Sequence, residues 1–331
     1  IYICFFYVIL HLYKVNFIEF GDTLMKKVLI TGGAGFIGSH IIEVLKKEDC
    51  DITVLDNLHT GLRANVPENV RLIEMDIRDK CVIDIFERYQ FDVVLHLAGQ
   101  TMVNVSVDAP FYDADVNIMG TMNILESCRK TGVKRIVFSS TAATYGDIEE
   151  VPIREEFSVN PLSFYGLSKL TVEKYLKLYH DLYGLEYVIL RYANVYGERQ
   201  GDGGEGGVIS IFTKKIAKDE SFVIHGDGKQ TRDFVYAGDV ARANWYAANT
   251  EYCNTIYNVS TNSETSIREL VDLLESASGK TIDRQYGERR EGDIYRSVLD
   301  NSKIVTNLNW RPMINLQEGL KRTYDYFVKS K

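Results

Sequence analysis

The sequence has no excess of basic residues. Among its 331 residues, 38 are Lys or Arg and 46 are Asp or Glu, so the formal net charge is −8. Proteins that bind nucleic acids or anionic membranes through charge carry a basic patch on their surface. We therefore expect neither a nucleic acid nor a membrane as a partner.

Cysteine is also scarce and scattered. The five cysteines, Cys4, Cys50, Cys81, Cys128 and Cys253, include no C-x-x-C pair. An odd number of isolated cysteines in a chain of this length favours neither a disulfide framework nor a zinc site. We therefore predict a protein without a bound metal that resides in the reducing cytoplasm.

Long apolar runs are missing as well. Residues 1–10 are apolar, but a membrane-spanning helix needs about 20 apolar residues. These residues also lack the basic start and the small-residue cleavage site of a signal peptide. Because Met25 stands directly before the first predicted strand, we expect Met25 to be the natural start and residues 1–24 to be an extension outside the folded core. A membrane-associating extension is the alternative.

The most informative stretch of the sequence is residues 28–39. An apolar run of strand length is followed by Gly32, Gly35 and Gly38 in a G-x-x-G-x-x-G pattern, and a helical pattern follows over residues 40–47. In a strand–turn–helix unit, glycines at this spacing let a pyrophosphate approach the backbone N–H groups of the helix N-terminus. An ordinary tight turn is the alternative interpretation of the glycines alone.

The next predicted strand, residues 51–56, ends at Asp56, which lies 18 residues after Gly38. A carboxylate at this distance from the glycine turn accepts hydrogen bonds from the ribose hydroxyls of a dinucleotide and repels a 2′-phosphate. The two motifs together therefore predict NAD, rather than NADP, as the cofactor.

Strands and helices alternate from residue 26 to about Gly197. Further strands are predicted over residues 70–74, 91–97, 134–138 and 186–190, and helices over residues 79–89 and 111–130. This alternation is typical of a Rossmann-type α/β fold, in which helices cover both faces of a doubly wound parallel sheet. Ligands bind at the carboxyl ends of such strands, where the sequence places Asp76, residues 98–100 and residues 139–141.

Beyond Gly197 the pattern changes. Residues 198–207 are dense in glycine and predict a loop, and a later helix begins with the capping-box spacing of Ser266 and Glu269. We therefore divide the chain into an NAD-binding domain (residues 25–197) and a smaller mixed α/β substrate domain (residues 198–331), with segments of the two allowed to interleave. We expect a cleft between them.

Tyr165 and Lys169 form the clearest chemical signal. On a helix they lie at positions i and i+4 and share one face. Because an ammonium beside a phenol favours the phenolate, we expect the pKa of Tyr165 to fall below its usual value of about 10, so that the phenol exchanges a proton with a substrate hydroxyl. A hydroxyl residue after the fifth strand, Thr141, can hold the same substrate oxygen. An amphipathic helix with an incidental Tyr and Lys is the alternative.

These motifs occur in one order with two further ones, residues 191–197 (RYANVYG) and residues 226–233 (GDGKQTRD). In this order they closely resemble the extended short-chain dehydrogenase/reductase superfamily, and within it the UDP-glucose 4-epimerases, over about residues 26–328. The resemblance implies a tightly held NAD, a UDP-sugar substrate and a homodimer built through two helices of the N-terminal domain.

The resemblance also bears on the reaction. Related 4,6-dehydratases carry an Asp-Glu pair after the threonine of the hydroxyl motif, and related decarboxylases carry a Glu nearby, whereas this chain has Ala142 and Ala143. Alanine cannot transfer protons, so epimerisation at C4 remains. The implied mechanism has Tyr165 take the proton of the sugar 4-hydroxyl while hydride moves to NAD. The 4-keto sugar then turns over about its pyrophosphate, and proton and hydride return.

Site residues follow from the resemblance position by position. The catalytic set is Tyr165, Lys169 and Thr141, and the cofactor set is Gly32, Gly35, Phe36, Ile37, Gly38, Asp56, Asn57, Asp76, Ile77, Leu97, Ala98, Tyr165, Lys169 and Tyr192. The substrate set is Thr141, Asn194, Val208, Ile209, Val223, His225, Arg232, Arg290, Asp293 and Ser297. Within it, Asn194, Arg232 and Arg290 correspond to diphosphate-binding residues, and Asp293 to an acid that binds the uridine ribose. Two positions depart from the family pattern: Val116 replaces an Asn found in some members, and Thr101 replaces a Lys.

Ser297 bears on substrate choice. Counting from Arg290, it stands where strict UDP-glucose enzymes carry a Tyr against the sugar. A small residue leaves room for a 2-acetamido group, so we expect the enzyme to interconvert UDP-GlcNAc and UDP-GalNAc as well as UDP-glucose and UDP-galactose. Alternatives are a 4-epimerase for UDP-glucuronate or a UDP-pentose, and a residual decarboxylase. A non-catalytic NAD-binding regulator is a further alternative, which the intact Tyr165–Lys169 pair disfavours.

Overall fold

A parallel sheet of seven strands forms the centre of the structure. The computed structural model describes residues 25–201, 207–289 and 294–329, so the predicted extension, residues 1–24, lies outside the described residues. The strands are β1 Lys26–Thr31, β2 Cys50–Asp56, β3 Arg71–Glu74, β4 Val93–His96, β5 Arg135–Thr141, β6 Glu186–Tyr192, β7 Asn194–Tyr196, β8 Phe222–His225, β9 Thr231–Arg232, β10 Phe234–Tyr236, β11 Thr255–Val259, β12 Thr265–Ser266, β13 Arg284–Gly287 and β14 Arg296–Ser297. The order across the large sheet is β3-β2-β1-β4-β5-β6-β11, and every neighbouring pair in it is parallel. This order confirms the predicted Rossmann-type fold.

Helices cover both faces of this sheet. They are α1 Phe36–Leu45, α2 Val82–Tyr89, α3 Val103–Asp108, α4 Pro110–Ala114, α5 Thr121–Thr131, α6 Phe164–Tyr183, α7 Val208–Ala217, α8 Ala237–Asn249, α9 Ile267–Ser278, α10 Ser302–Leu308 and α11 Leu316–Lys329. Consecutive side chains of a strand point to opposite faces, so Ile30 packs with α1, α8 and α10, and Leu29 packs with α2, α5 and α6. Across the described ranges, no helix combines the length and apolarity needed to cross a membrane.

The helix predicted over residues 111–130 is interrupted in the structure. Between α4 and α5, residues Asp115–Gly120 form a π-helix. Within this π-helix, the side chain of Asn117 is buried, with only 2% of its surface exposed. Gly120 packs closely on Ile77, since a Cβ added to Gly120 would lie 2.6 Å from Cδ1 of Ile77. Such single π turns occur frequently at functional sites, and this one brings Asn117 to the edge of the candidate site.

A second lobe with its own apolar core follows Gly197. Helices α7, α9 and α11 enclose this core together with β8, and Phe212, Leu270 and Leu320 lie in it. The predicted capping box of α9 is confirmed, because Ser266 Oγ accepts the N–H of Glu269 and the Glu269 carboxylate accepts the N–H of Ser266.

The chain returns to the first lobe in the middle of the second. Helix α8 packs on α1, and β11 pairs with β6 at the edge of the large sheet. Segments of the two lobes therefore interleave in the structure, and the boundary at Gly197 stays a prediction.

Candidate active site

The glycine turn lies at the carboxyl end of β1, against the loop that follows β4. Gly32 has φ +71°, and a Cβ added to it would lie 2.7 Å from the backbone N of Ala98. Gly38 packs equally tightly on the turn, since its added Cβ would lie 2.4 Å from the carbonyl oxygen of Gly32. Helix α1 begins directly after Gly35, and the first N–H groups of a helix have no partner within it. The turn is therefore a preformed site for an anionic group.

Asp56 lies beside this turn at the end of β2. Its Oδ2 accepts the N–H of Ala34 and its Oδ1 accepts the N–H of Leu58, both at 2.9 Å. Burial raises the pKa of the Asp56 carboxyl, and these two hydrogen bonds lower it in part. The carboxylate therefore fixes the shape of the glycine turn, a role that the sequence pattern did not predict, and it also borders the cavity described below.

A second acid, Asp76, follows β3. It accepts a hydrogen bond from Asn57 at 2.8 Å and is paired with Arg78, whose Nε and Nη2 donate to its two oxygens at 2.9 and 2.8 Å. The hydrogen bonds from Arg78 lower the pKa of Asp76 well below its usual range. This part of the site therefore carries a fixed negative charge that is largely balanced by Arg78.

One cavity of about 660 Å³ runs along the carboxyl ends of the strands. Every residue predicted to hold the cofactor lines it. The set comprises Gly32, Gly35, Phe36, Ile37, Gly38, Asp56, Asn57, Asp76, Ile77, Leu97, Ala98, Tyr165, Lys169 and Tyr192. A dinucleotide fits this donor set, because a glycine turn without side chains, a helix N-terminus and an acid predicted to bind a ribose border the same space.

Tyr165 and Lys169 project from the first turns of α6, which Ser163 caps by accepting the N–H of Gly166 at 3.1 Å. The side chain of Thr141 lies beside the phenol of Tyr165, and its Oγ1 accepts the N–H of Ala143 at 3.2 Å. Burial raises the pKa of Tyr165 to about 12, and the interaction with Thr141 lowers it in part. The expectation of a lowered pKa is therefore wrong for the protein alone, because desolvation dominates the shift.

Lys169 has a backbone partner at the end of β5. Its ammonium donates to the carbonyl of Ser139 at 3.1 Å and lies 4.9 Å from the ring centre of Phe138. Burial lowers the pKa of Lys169 to about 8. The ammonium at the floor of the cavity is therefore close to titration at physiological pH.

The predicted substrate residues do not all border the cavity. Thr141 and Asn194 line it. Arg232 and Ser297 are direct neighbours on the paired strands β9 and β14 of the second lobe. Ile209 is buried in the core of that lobe, and Val208 packs against this core. Val223 and His225 lie on β8, while Arg290 and Asp293 lie outside the described residues.

One residue at the edge of the site, Asn117, was not predicted from the sequence, whereas its partner Gln100 belongs to the predicted residues 98–100. Asn117, next to the departure noted at Val116, accepts the N–H of Gln100 at 2.8 Å and donates to the carbonyl of Gln100 at 3.0 Å. Gln100 is itself buried and lines the cavity. The sequence did contain a signal, because Asn117 stands within a helical pattern. A polar amide that is buried in such a helix needs hydrogen-bond partners.

The fold and this site define an α/β dinucleotide-binding protein of the short-chain dehydrogenase/reductase type. Its parallel sheet has the nucleotide-binding order, and its glycine turn, acid and Tyr-x-x-x-Lys helix border one cavity. The chain belongs to the NAD dependent epimerase/dehydratase family, whose sequence profile matches residues 28–260.

Solved structures of nucleotide-sugar epimerases are similar over almost the whole chain. The UDP-glucose 4-epimerase of Thermotoga maritima, determined with UDP-glucose, is 41% identical, covers 92% of this chain and 99% of its own, and has a TM-score of 0.89. That of Thermus thermophilus, determined with NAD, is 43% identical, with coverages of 91% and 98% and a TM-score of 0.86. The UDP-N-acetylglucosamine 4-epimerase of Methanobrevibacter ruminantium, in complex with UDP-N-acetylmuramic acid, is 35% identical, with coverages of 92% and 99% and a TM-score of 0.88.

Proposed function

We propose that this protein is an NAD-dependent UDP-hexose 4-epimerase that interconverts UDP-glucose and UDP-galactose. The observation that carries the proposal is the position of the Tyr165 phenol. It lies beside the Thr141 side chain and borders the same cavity as the glycine turn and Asp56. The structures with UDP-glucose and with NAD, at 41% and 43% identity, support both ligands.

The chain's own residues supply proton transfer and orientation. Thr141 holds the sugar 4-hydroxyl next to the Tyr165 phenol, and Tyr165 removes and later returns the proton of that hydroxyl. Lys169 places a positive charge at the cavity floor, where it favours the phenolate. NAD would be held by the glycine turn, Asp56 and Lys169, and when bound it would supply reversible hydride transfer.

The residues next to Thr141 support epimerisation over elimination. Ala142 and Ala143 form a single 3-10 turn with Thr144, directly after Thr141. Neither side chain can donate or accept a proton, so this turn provides no acid or base for chemistry at C5 and C6 of the sugar.

The second lobe would hold the nucleotide. Guanidinium groups suit phosphate oxygens, and we assign Arg232 and Arg290 to the diphosphate together with Asn194, and Asp293 to the uridine ribose. Because Ser297 is the direct neighbour of Arg232 on the adjacent strand, a sugar attached to that diphosphate would lie within reach of Ser297. This arrangement supports a substrate range that includes UDP-GlcNAc and UDP-GalNAc.

The test is a direct assay. The purified protein, without added NAD and again with NAD, is incubated with UDP-glucose and with UDP-GlcNAc, and the products are identified by proton NMR at C4. We expect both sugars to be epimerised and Tyr165→Phe to be inactive. Unchanged turnover in Tyr165→Phe, or no change at C4 in either substrate, would overturn the proposal.

We further infer a homodimer that forms through α6 and the helices before it. Leu167, Leu178 and Leu182 expose 48%, 52% and 67% of their surface on α6, and Phe111 on α4 exposes 85%. At helical spacing the three leucines lie along one stripe, and exposed apolar patches of this kind mark protein–protein contacts. Light scattering after gel filtration tests this: we expect a dimer for the wild type, and a monomer for the double variant Leu178→Glu/Leu182→Glu.

We assign the protein to the cytoplasm. Among the described residues, Cys50, Cys81, Cys128 and Cys253 are all free thiols, as expected in a reducing compartment. Cell fractionation of the source organism tests the assignment.

A further inference from the structure

A buried acid, Asp113, lies behind the catalytic pair and takes no part in the chemistry described above. It is located on α4 and is only 1% exposed. Its Oδ1 accepts hydrogen bonds from Nε2 of Gln100 at 2.7 Å and from Nδ2 of Asn117 at 3.1 Å. Its Oδ2 is buried and has no hydrogen-bond partner among the residues that the structure describes. A buried carboxylate oxygen without a hydrogen bond costs free energy, so its presence here calls for a physical explanation.

The two partners of Asp113 hold the cavity loop at residues 99–102. Gln100 donates to the carbonyl of Met102 at 2.9 Å and accepts the N–H of the same residue. Asn117 bonds both backbone groups of Gln100. The acid and these two amides therefore determine the course of a loop that lines the cavity.

The same network touches the catalytic helix. Asn117 donates to Ser168, the residue before Lys169, at 3.1 Å. A Cβ added to Gly99 would lie 2.7 Å from Oδ1 of Asn117 and 3.4 Å from Nζ of Lys169. The loop therefore lies directly against the ammonium, and a shift of the loop would change the surroundings of Lys169.

We propose that Asp113 is a positioning residue for the reaction. It fixes the cavity loop through Gln100 and Asn117, and its negative charge acts on the pair formed by Tyr165 and Lys169. The role of Asp113 in catalysis rests on the proposed function. Its effects on the titration of Lys169 and on NAD binding can be measured without turnover.

The charge acts on both members of the pair in the same direction. Asp113 raises the pKa of Lys169 against the lowering by burial, and it raises the pKa of Tyr165 further. The other titratable groups nearby are Tyr192 on β6 and His96 on β4. Burial raises the pKa of Tyr192 to about 12 and lowers that of His96 to about 3, so both are neutral near pH 7.

The remaining charged groups close to Asp113 in the chain are placed differently. Asp115, on the adjoining π-helix, is paired with Arg78 at 2.8 Å. Asp108, at the end of α3, is exposed. Asp113 is therefore the acid of this segment whose negative charge acts on Tyr165 and Lys169.

The experiment separates charge from position. Asp113→Asn removes the charge and keeps an oxygen acceptor, and Asp113→Ser removes the same charge with a smaller side chain. Gln100→Ala releases the loop and keeps the charge. Asp108→Asn, the matched control, removes an exposed charge from the neighbouring helix α3.

The first readout is the titration of Lys169 in protein labelled with ¹³C at lysine Cε, with the resonance identified by its loss in Lys169→Arg. We expect the midpoint to move to lower pH in both Asp113 variants and to stay unchanged in Asp108→Asn. In Gln100→Ala, which keeps the charge but releases the loop beside Lys169, we expect a smaller movement than in the Asp113 variants. The second readout is the Kd for NAD by calorimetry, which we expect to rise in Gln100→Ala. A midpoint of Lys169 that is the same in wild type and in the Asp113 variants would overturn the proposal, whether or not the protein is an epimerase.

The third readout is the pH profile of kcat. Because the charge raises both pKa values, its loss moves the whole profile to lower pH. If the profile moves by about one pH unit, the active fraction on the alkaline side changes by up to about tenfold. A purely structural role would lower the profile evenly at every pH, and that result would also count against the proposal.

Discussion

The Thr141 hydroxyl lies beside the Tyr165 phenol and lowers its pKa in part, whereas the two serines before Thr141 have other partners. Ser139 Oγ lies 2.9 Å from the hydroxyl of Tyr192, and Ser140 donates to Glu173 at 2.5 Å. Of the three hydroxyl residues, Thr141 is therefore the one placed to share a substrate oxygen with Tyr165.

Thr141→Val removes this hydroxyl with little change in shape. We expect kcat to fall by about 10- to 100-fold, because a hydrogen bond to a charged group contributes about 1.5–3 kcal/mol and each 1.4 kcal/mol corresponds to about tenfold in rate. Thr141→Ser is expected to retain most of the activity. The control is Thr171→Val on the exposed side of α6, where the hydroxyl bonds to the carbonyl of Leu167. Equal initial rates for the two valine variants would contradict the assignment.

Gly32→Ala tests the close approach at the glycine turn. Gly32 has φ +71°, and its added Cβ meets the backbone of Ala98 at 2.7 Å. Gly132, at the end of α5, has φ +75° and no atom within 4 Å of its added Cβ. Both alanine variants force an L-residue into left-handed backbone, at a cost of about 1–2 kcal/mol, but we expect only Gly32→Ala to lose NAD. Calorimetric titration with NAD measures this, and equal affinities in the two variants would show that the turn does not contact the cofactor.

We expect the buried His96 to lower the free energy of unfolding in acid. Its ring lies 2.6 Å from the hydroxyl of Thr31 and 2.9 Å from that of Thr121, and burial lowers its pKa to about 3. The unfolded chain takes up a proton near pH 6.5 while the folded protein does not, so the free energy of unfolding falls as the pH drops from 6.5 toward 3. Between pH 7 and pH 5 this amounts to about 2 kcal/mol from His96.

Urea unfolding at pH 7 and pH 5 measures this effect. His96→Asn is expected to be less stable than wild type at pH 7, because the bonds to both threonines change. It is also expected to lose about 2 kcal/mol less than wild type between the two pH values. The same loss in both proteins would show that the imidazole is not kept neutral by burial.

Ser297→Tyr tests the substrate range. A phenol ring next to Arg232 would occupy the space that a 2-acetamido group needs, so we expect loss of activity on UDP-GlcNAc and retention on UDP-glucose. Ser297→Ala serves as the control and is expected to act on both sugars. The ratio of kcat/KM for the two substrates decides the matter. An equal loss on both sugars in Ser297→Tyr would mean that the residue does not select between them.

Local patterns explain which parts of the site could be predicted. Gly32 and Asp56 stand at a fixed spacing within one strand–helix–strand unit, and Tyr165 and Lys169 stand four residues apart on one helix. The parallel sheet brings them together at its carboxyl edge. These residues line one cavity because of the fold. Their contacts with NAD stay a prediction.

The missed features depend on tertiary packing. Gln100, Asp113 and Asn117 come from a loop, a helix and a π-helix, and their roles arise only when all three are buried together. The predicted direction of the pKa shift of Tyr165 was wrong for the same reason. The spacing of Tyr165 and Lys169 predicts their shared helix face, but desolvation depends on what packs over that face.

Strand β11 determines where the protein can be divided into fragments that fold. Its pairing with β6 and the packing of α8 on α1 both come from residues after Gly197. A protein truncated at Gly197 would bare the hydrogen-bonding edge of β6 and the apolar side of α1, two surfaces that promote aggregation. The first lobe is thus no free-standing module, and a chimera that exchanges the second lobe must leave residues 237–259 with the sheet that they complete.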